Sequence, residues 1–236
     1  MNGWDDSAAA WVASQGEHGD FLRRYVLDPA ISMRLEGRGF ATALDVGCGE
    51  GRFCRVLRGM GIDAAGIDPT EALIARARKL DPTGDYRITQ AEELPFADGV
   101  FDLVVSYVSL VDIPGYEEAI AEMARVLKPG GTLLIANVNG FMTAHAGERG
   151  WQEDADGNRL HFAIDNYLDI HSSWESWGGL QIQNWHRPLS AYMKALLGQG
   201  LQLVFFDEPA PIGGSVQQVS EERRVPGSHL MEWRKP

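Results

Sequence analysis

The 236-residue chain predicts a doubly wound α/β fold, a mostly parallel sheet with helices on both faces. Three observations lead to it. Between residues 41 and 139 short apolar segments alternate with helical ones, the pattern of parallel strands joined by crossover helices. The first of these strands runs directly into a glycine-rich turn, "LDVGCGEG" at residues 44–51, with a helix behind it. A later segment, "FDLVVSYVSL", is almost unbroken in apolar character, as a parallel strand covered on both faces must be.

The elements follow in order. Residues 1–40 read as helical and amphipathic, with Trp11, Phe21, Leu22 and Tyr25 on apolar faces and Gly16 and Gly19 as interruptions. This segment is expected to form a helical lid ahead of the sheet. "ATALDV" is the first strand and 52–60 its helix; "DAAGID" is the second, followed by a helix over 70–80 behind an Asp-Pro start. "DYRITQ" and "FDLVVSYVSL" are the third and fourth strands. A helix over 116–127 stops at "KPGG", and "TLLIANV" is the fifth strand. Beyond residue 140 the alternation breaks. Residues 141–187 hold four of the seven tryptophans, and "LHFAID", "SSWESW" and "LQIQNW" predict short antiparallel strands. "RPLSAYMKALLGQG" restarts a helix, with Pro188 near its first turn, and "LQLVFFDEP" is a further strand. The organisation expected is a lid over 1–40, a sheet domain over 41–140 and 188–210, an aromatic cap or dimerisation insertion over 141–187, and an extended Gly/Pro/charge-rich tail over 211–236.

Composition narrows the function. The hydrophobic fraction of 44% supports a full core, and no run of eighteen apolar residues suggests a membrane-spanning helix. The first residues lack a basic stretch followed by an apolar one, so no signal peptide is expected. Cys48 and Cys54 match no zinc spacing and are too few for a disulfide framework; they read as reduced thiols of a cytoplasmic protein. A net charge of −12 disfavours nucleic acid as a partner, and the basic pairs Arg223-Arg224 and Arg234-Lys235 are short and flanked by acids. No clustered His/Asp/Glu spacing asks for a metal.

The glycines point to a ligand. A strand ending in Gly-x-Gly at a helix start offers bare backbone to a nucleotide-like group. The dinucleotide fingerprint has a third glycine where this chain has Arg52, which argues against an NAD enzyme; Gly47-x-Gly49-x-Gly51 favours a different adenosine ligand. Asp68 ends the second strand about twenty residues on, where a carboxylate can accept both ribose hydroxyls. The alternative is that it only caps the helix that begins near Thr70.

"LDVGCGEG", "GIDPTEALIARAR", "AEELPFADGVFDLVVS" and "EMARVLKPGGTLLIA", in this order, resemble the successive motifs of class I S-adenosylmethionine-dependent methyltransferases. More narrowly they resemble the small-molecule, ubiquinone-biosynthesis-like branch, methyltransferase type 11. The resemblance covers about residues 40–140 and implies a Rossmann-like sheet, S-adenosyl-L-methionine as cofactor and S-adenosyl-L-homocysteine as product. It also implies roles by position. Gly47 and Gly49, with Cys48 between them, face the methionine part, and Asp45 orients its amine. Asp68 takes the ribose, Pro69 stacks near the adenine edge, and Gln90, Ala91 and Glu92 line the adenine. Many relatives have aspartate where this chain has Gln90, whose side-chain oxygen still accepts from the adenine amine. Ser106 and Tyr107 stand beside the sulfonium. A helix before the first strand commonly closes over the cofactor in this family, which marks Trp11 as a cofactor contact or a core residue.

The acceptor is a small molecule methylated on oxygen or nitrogen in this reading, and an oxygen acceptor usually wants a base. His186 is the first candidate, because it stands where a cap strand meets a helix start held by Pro188; the alternative is a structural role at that turn. His145, just past the fifth strand, is the second. His161 and His171 sit on expected strands and read as structural or interfacial, and Asp112, after the fourth strand, can approach the acceptor or be a solvated loop residue. Trp151, Phe162, Tyr167, Trp174, Trp177 and Trp185 wall the acceptor, or pack a small sheet onto the body or a second subunit. Other functions to weigh are a tRNA or protein methyltransferase and a non-catalytic S-adenosylmethionine-binding module.

Overall fold

A computed structural model describes residues 2–16, 18–145 and 150–236. Its centre is a seven-stranded sheet in the order β10-β11-β5-β4-β1-β2-β3. Strands β1 (Thr42–Val46), β2 (Asp63–Asp68), β3 (Asp85–Ile88), β4 (Phe101–Tyr107) and β5 (Leu127–Val138) pair in parallel. Their apolar runs are buried because helices cover both faces: Leu44, Leu103, Val104, Val105 and Ile135 have no exposure to solvent. Each such side chain contributes roughly 1.5–3 kcal/mol of burial free energy.

The helices alternate with these strands as the sequence predicts: α3 (Arg52–Gly59), α4 (Glu71–Leu80) and α5 (Tyr116–Val126). One core cluster joins α5 and α7 (Leu189–Gly198) to one face of the sheet, through Ile120, Met123 and Leu196. The other joins α2 (Asp28–Leu35), α3 and α4 to the opposite face, through Ile31, Leu57 and Ile74. Ahead of the sheet lie α1 (Trp4–Gln15) and a π-helical turn, Arg23–Leu27, that runs into α2.

The antiparallel strands expected after β5 form two separate hairpins, β6 (Trp151–Glu153) with β7 (Arg159–Phe162), and β8 (His171–Trp177) with β9 (Leu180–His186). One expectation needs correction. Residues 211–236 are not an extended tail. They form α8 (Val216–Arg224) and β11 (Ser228–Arg234), which lies antiparallel between β5 and β10 (Gln202–Asp207). Its polar residues disguise it in the sequence. Glu232 is buried but accepts from Arg34 at 2.7 Å and from Arg38 at 2.7 Å. His229 is buried with Nδ1 2.8 Å from the Asn139 side-chain oxygen. Paired this way, a charge and an imidazole are tolerated inside a sheet. No helix among the described residues is long and apolar enough to cross a membrane.

Candidate active site

Strands β1, β2 and β4 deliver their C-terminal ends to one edge of the sheet, and a cavity of about 660 Å³ opens there. The turn after β1 makes its floor. Gly47 and Gly49 both take positive φ, 77° and 55°. A side chain on Gly47 would overlap Ser109, whose hydroxyl donates to the Val46 carbonyl at 2.6 Å and pairs with Ser106 at 2.8 Å. Gly49 faces the cavity instead, and its nearest neighbour in the side-chain direction is the Trp11 indole nitrogen, 3.9 Å from where a Cβ would stand. One glycine lets two loops meet; the other leaves the backbone bare to a ligand.

Asp68 combines the two roles its position allows. Its carboxylate accepts from the Gly49 amide at 2.9 Å and from the Thr70 amide at 2.9 Å, tying the turn to the start of α4. Each oxygen keeps a further lone pair, and Asp68 lines the cavity. Burial raises its pKa, and the Thr70 and Gly49 amides work against that rise. Asp45 is 1% exposed and also reaches the cavity wall. One carboxylate oxygen has the Cys54 thiol at 3.6 Å, and the other, Oδ1, has no partner among the described residues. Burial pushes Asp45 up to about 7. A buried, unpartnered carboxylate oxygen beside a cavity fits an amine-bearing ligand. Cys48, Pro69, Gln90, Ala91 and Glu92 complete this half of the lining. The residues therefore suit S-adenosylmethionine: an unpartnered acid for an amine, an open glycine for close approach, and a carboxylate at a strand end for a ribose.

The roof comes from the N-terminus and the second hairpin. Trp4 and Trp11 pack edge to face at 5.3 Å between centroids, and both line the cavity with Trp177, Ile182, Gln183 and Asn184. The Ser7 hydroxyl and the Gln181 backbone exchange hydrogen bonds at 3.1 and 3.0 Å, fastening α1 to β9. The sequence reading missed Trp4, Arg23 and Arg52 as lining residues. Arg23 lies over the Trp11 ring at 4.7 Å and donates to Asp20 at 2.8 Å. Arg52, read only as an absent glycine, donates to both Asp28 oxygens at 2.8 and 2.9 Å. A basic residue inside an apolar helix, as Arg23 is, was the available signal. At the end of β4, Val108 lines the cavity with φ of 53°, a conformation that costs a β-branched residue on the order of 1–3 kcal/mol.

Tyr107 lines the cavity, but its hydroxyl donates to Asp28 at 2.8 Å, and burial raises its pKa. Ser106 is fully buried behind Ser109 and does not reach the lining. His186 is turned away from the cavity. The strand has run past the rim by residue 186, and the ring faces the α6 turn (Gly140–Thr143). Its Nδ1 is 2.8 Å from the Thr143 hydroxyl and its Nε2 is 2.9 Å from the Tyr167 carbonyl, while burial lowers its pKa. Both ring nitrogens are engaged at the helix start, and the ring does not line the cavity. His145 bridges to Ile164 and lies 3.9 Å from Glu175, also off the cavity. Of the six cap aromatics only Trp177 lines it. Trp151 and Phe162 pack on each other at 5.5 Å, and Arg224 of α8 lies over Trp151 at 4.8 Å. Tyr167 accepts from the Leu189 amide, Trp185 packs on Arg187, and Trp174 is half exposed.

Comparison with known proteins agrees with this architecture. The family described as "Methyltransferase domain" matches residues 44–135. A ubiquinone biosynthesis O-methyltransferase from Rhizobium etli is 32% identical over 189 residues, covering 76% of this chain and 68% of that one. A malonyl-[acyl-carrier protein] O-methyltransferase from Enterobacter lignolyticus is 33% identical over 122 residues, and there the match spans 52% of this chain and only 48% of the relative. Among solved structures, an S-adenosylmethionine-dependent methyltransferase from Mesorhizobium loti superposes with a TM-score of 0.79 at 26% identity, covering 93% of this chain and all of that one, 100%. The chain belongs to the class I S-adenosylmethionine-dependent methyltransferases. It is a methyltransferase of Rossmann-like fold, and its cofactor is S-adenosylmethionine.

Proposed function

We propose that the chain methylates an oxygen of a small-molecule acceptor bound at the end of the cavity walled by Trp4, Trp177, Ile182 and Asn184. The observation that carries this reading is closure. Helix α1 and the β8–β9 hairpin are hydrogen-bonded to each other above the cavity, and the space beneath, about 660 Å³, is within the range of small-molecule sites. A macromolecular acceptor needs an open face there. The O-methyltransferase names of the relatives support oxygen as the acceptor atom.

In this reading Asp45 takes the amino group of the methionine part, directly or through water, and Gly47, Cys48 and Gly49 present backbone to it. Asp68 takes the ribose hydroxyls, Pro69 packs on the adenine edge, and Gln90, Ala91 and Glu92 line the ring. Trp11 closes over Gly49, as a lid formed by the N-terminal helix. S-adenosylmethionine supplies a methyl group already activated by its sulfonium charge. The chain's own residues hold the acceptor in line and exclude water. Tyr107 serves as wall, since its proton is committed to Asp28. The test is a transfer assay with methyl-tritiated S-adenosylmethionine against phenols, carboxylates, amines and tRNA. Label on a hydroxyl or carboxyl compound is the expected result. Label only on tRNA or amines contradicts the reading.

A further inference from the structure

Among the described residues that line the cavity there is no histidine, and four of the seven carboxylates there are already committed. Asp20 holds Arg23 at 2.8 Å, and Glu50 holds Arg55 at 2.8 Å. Asp68 carries the Gly49 and Thr70 amides, and Glu92 the Gly115 amide at 3.0 Å. Asp45 lies on the floor beneath the glycine turn, and Asp5 is exposed on α1. Asp112 differs. Its carboxylate accepts from the Asn184 side-chain amide, and it lines the cavity on the wall that Asn184 shares.

The loop that carries Asp112 is held from behind. Arg187 is 1% exposed, and its guanidinium donates to the carbonyls of Leu110 at 2.9 Å, Ile113 at 2.7 Å and Pro114 at 3.0 Å. The same group lies 4.4 Å from the Tyr116 ring and 5.1 Å from the Trp185 ring, and the Trp185 amide donates to the Val111 carbonyl at 2.7 Å. Four backbone bonds to one short loop fix where residue 112 stands.

We propose that Asp112 is the catalytic base that takes the proton of a hydroxyl acceptor, oriented by Asn184 and presented by the loop that Arg187 grips. This rests on the oxygen-acceptor reading above. The step balances. A lone pair of the acceptor oxygen forms the new O–C bond as the C–S bond breaks and its electrons neutralise the sulfonium. The acceptor proton passes to the free carboxylate oxygen, leaving an ether, a thioether and a carboxylic acid. The groups acting on Asp112 come from four elements. Burial raises its pKa to about 8; Asn184 of β9 lowers it, Asp68 of β2 raises it, and Arg23 of the π-helical turn and Arg187 of the β9–α7 turn lower it. A base in that range takes a proton well at neutral to mildly alkaline pH.

Two measurements test this. Carboxyl-carbon NMR of aspartate-labelled protein, without ligand, identifies the Asp112 resonance by its loss in Asp112→Asn. It should titrate near pH 8 and move higher in Asn184→Ala, which removes a donor to the ionised form. A resonance that titrates in the ordinary aspartate range overturns the proposal. In turnover with catechol, Asp112→Asn should lower kcat/KM by roughly 10²–10⁴-fold, abolish the rise of wild-type kcat/KM with pH toward 8, and leave S-adenosylhomocysteine affinity within about twofold. The loss should shrink with 4-nitrophenol, which arrives largely ionised. Undiminished catechol methylation by the variant overturns the base alone. Wild-type protein that methylates only benzylamine in the same panel overturns the oxygen reading and the base with it.

Discussion

Asp45 and Asp68 are both buried carboxylates at strand ends, yet they respond differently to ligand. Asp68 is already bonded to two backbone amides, so Asp68→Ala removes part of the turn's scaffold as well as a ribose contact. We expect S-adenosylhomocysteine binding to weaken by about 1.5–3 kcal/mol by calorimetry, the range for hydrogen bonds to charged groups, with a measurable fall in melting temperature. Unchanged affinity in the folded variant would leave Asp68 a helix cap only. Asp45 has an unpartnered oxygen and a pKa near 7. Below that pH it is protonated and has lost its charge; above it the carboxylate attracts an ammonium. Affinity for S-adenosylhomocysteine should therefore rise with pH through about 7, and Asp45→Asn should flatten the rise. His186→Ala should cost about 0.5–1.5 kcal/mol of stability, because it removes the hydrogen bonds to the half-buried Tyr167 carbonyl and Thr143 hydroxyl. Its kcat should stay within a few-fold of wild type; a loss beyond about a hundredfold in a folded variant would restore His186 as a base. At this scale the glycine turn, Asp45 and Asp68 are legible in sequence, because strand-end placement and positive φ are local properties. The facing of His186 and Asp112 is not, because it depends on partners distant in sequence: Thr143 and Tyr167 for His186, and Arg187 reaching back to residues 110–114 for Asp112.

Elements divide along the same line. Strand–helix alternation from 41 to 139 is local and reads closely, with "DAAGID" matching Asp63–Asp68, although β5 begins at Leu127 and takes in the "KPGG" read as a helix stop. Which hairpin of the cap meets the site is a tertiary matter. The β8–β9 hairpin roofs the cavity because α1 docks on it through Ser7 and Gln181, whereas β6–β7 is drawn away by Arg224, which donates to the Arg159 and Leu160 carbonyls at 3.0 and 2.7 Å. If α1 and β9 act as one roof, S-adenosylhomocysteine should slow amide exchange over residues 4–15 and 180–184 together. Slowing in one segment alone would mean that they move independently.

Across the whole molecule, the last strand completes the sheet that the first five begin. β11 sits between β5 and β10, so the chain's final residues hold β10 to the body. Glu232 lies 3% exposed while its partners Arg34 and Arg38 are about a third exposed, 33% and 35%. Glu232→Ala should therefore cost on the order of 1–3 kcal/mol in denaturant unfolding, below the figure for a fully buried pair because water partly screens the arginines. No change in stability would show that the β11 register does not depend on this pair. The sequence pattern did not reveal this strand, since an imidazole and a charge three residues apart, at His229 and Glu232, mimic an exposed tail until their partners Asn139, Arg34 and Arg38 are known.

The central claim is that the turn after β1, the end of β2 and the roof from α1 and β9 enclose one S-adenosylmethionine with its acceptor. A crystal structure with S-adenosylhomocysteine tests it most directly. The account predicts the ribose hydroxyls on Asp68, the amino group on Asp45 Oδ1, and the sulfur directed to the space between Tyr107, Trp177 and Asp112. A ribose away from Asp68, or a sulfur directed away from the Asp112 wall, would contradict it.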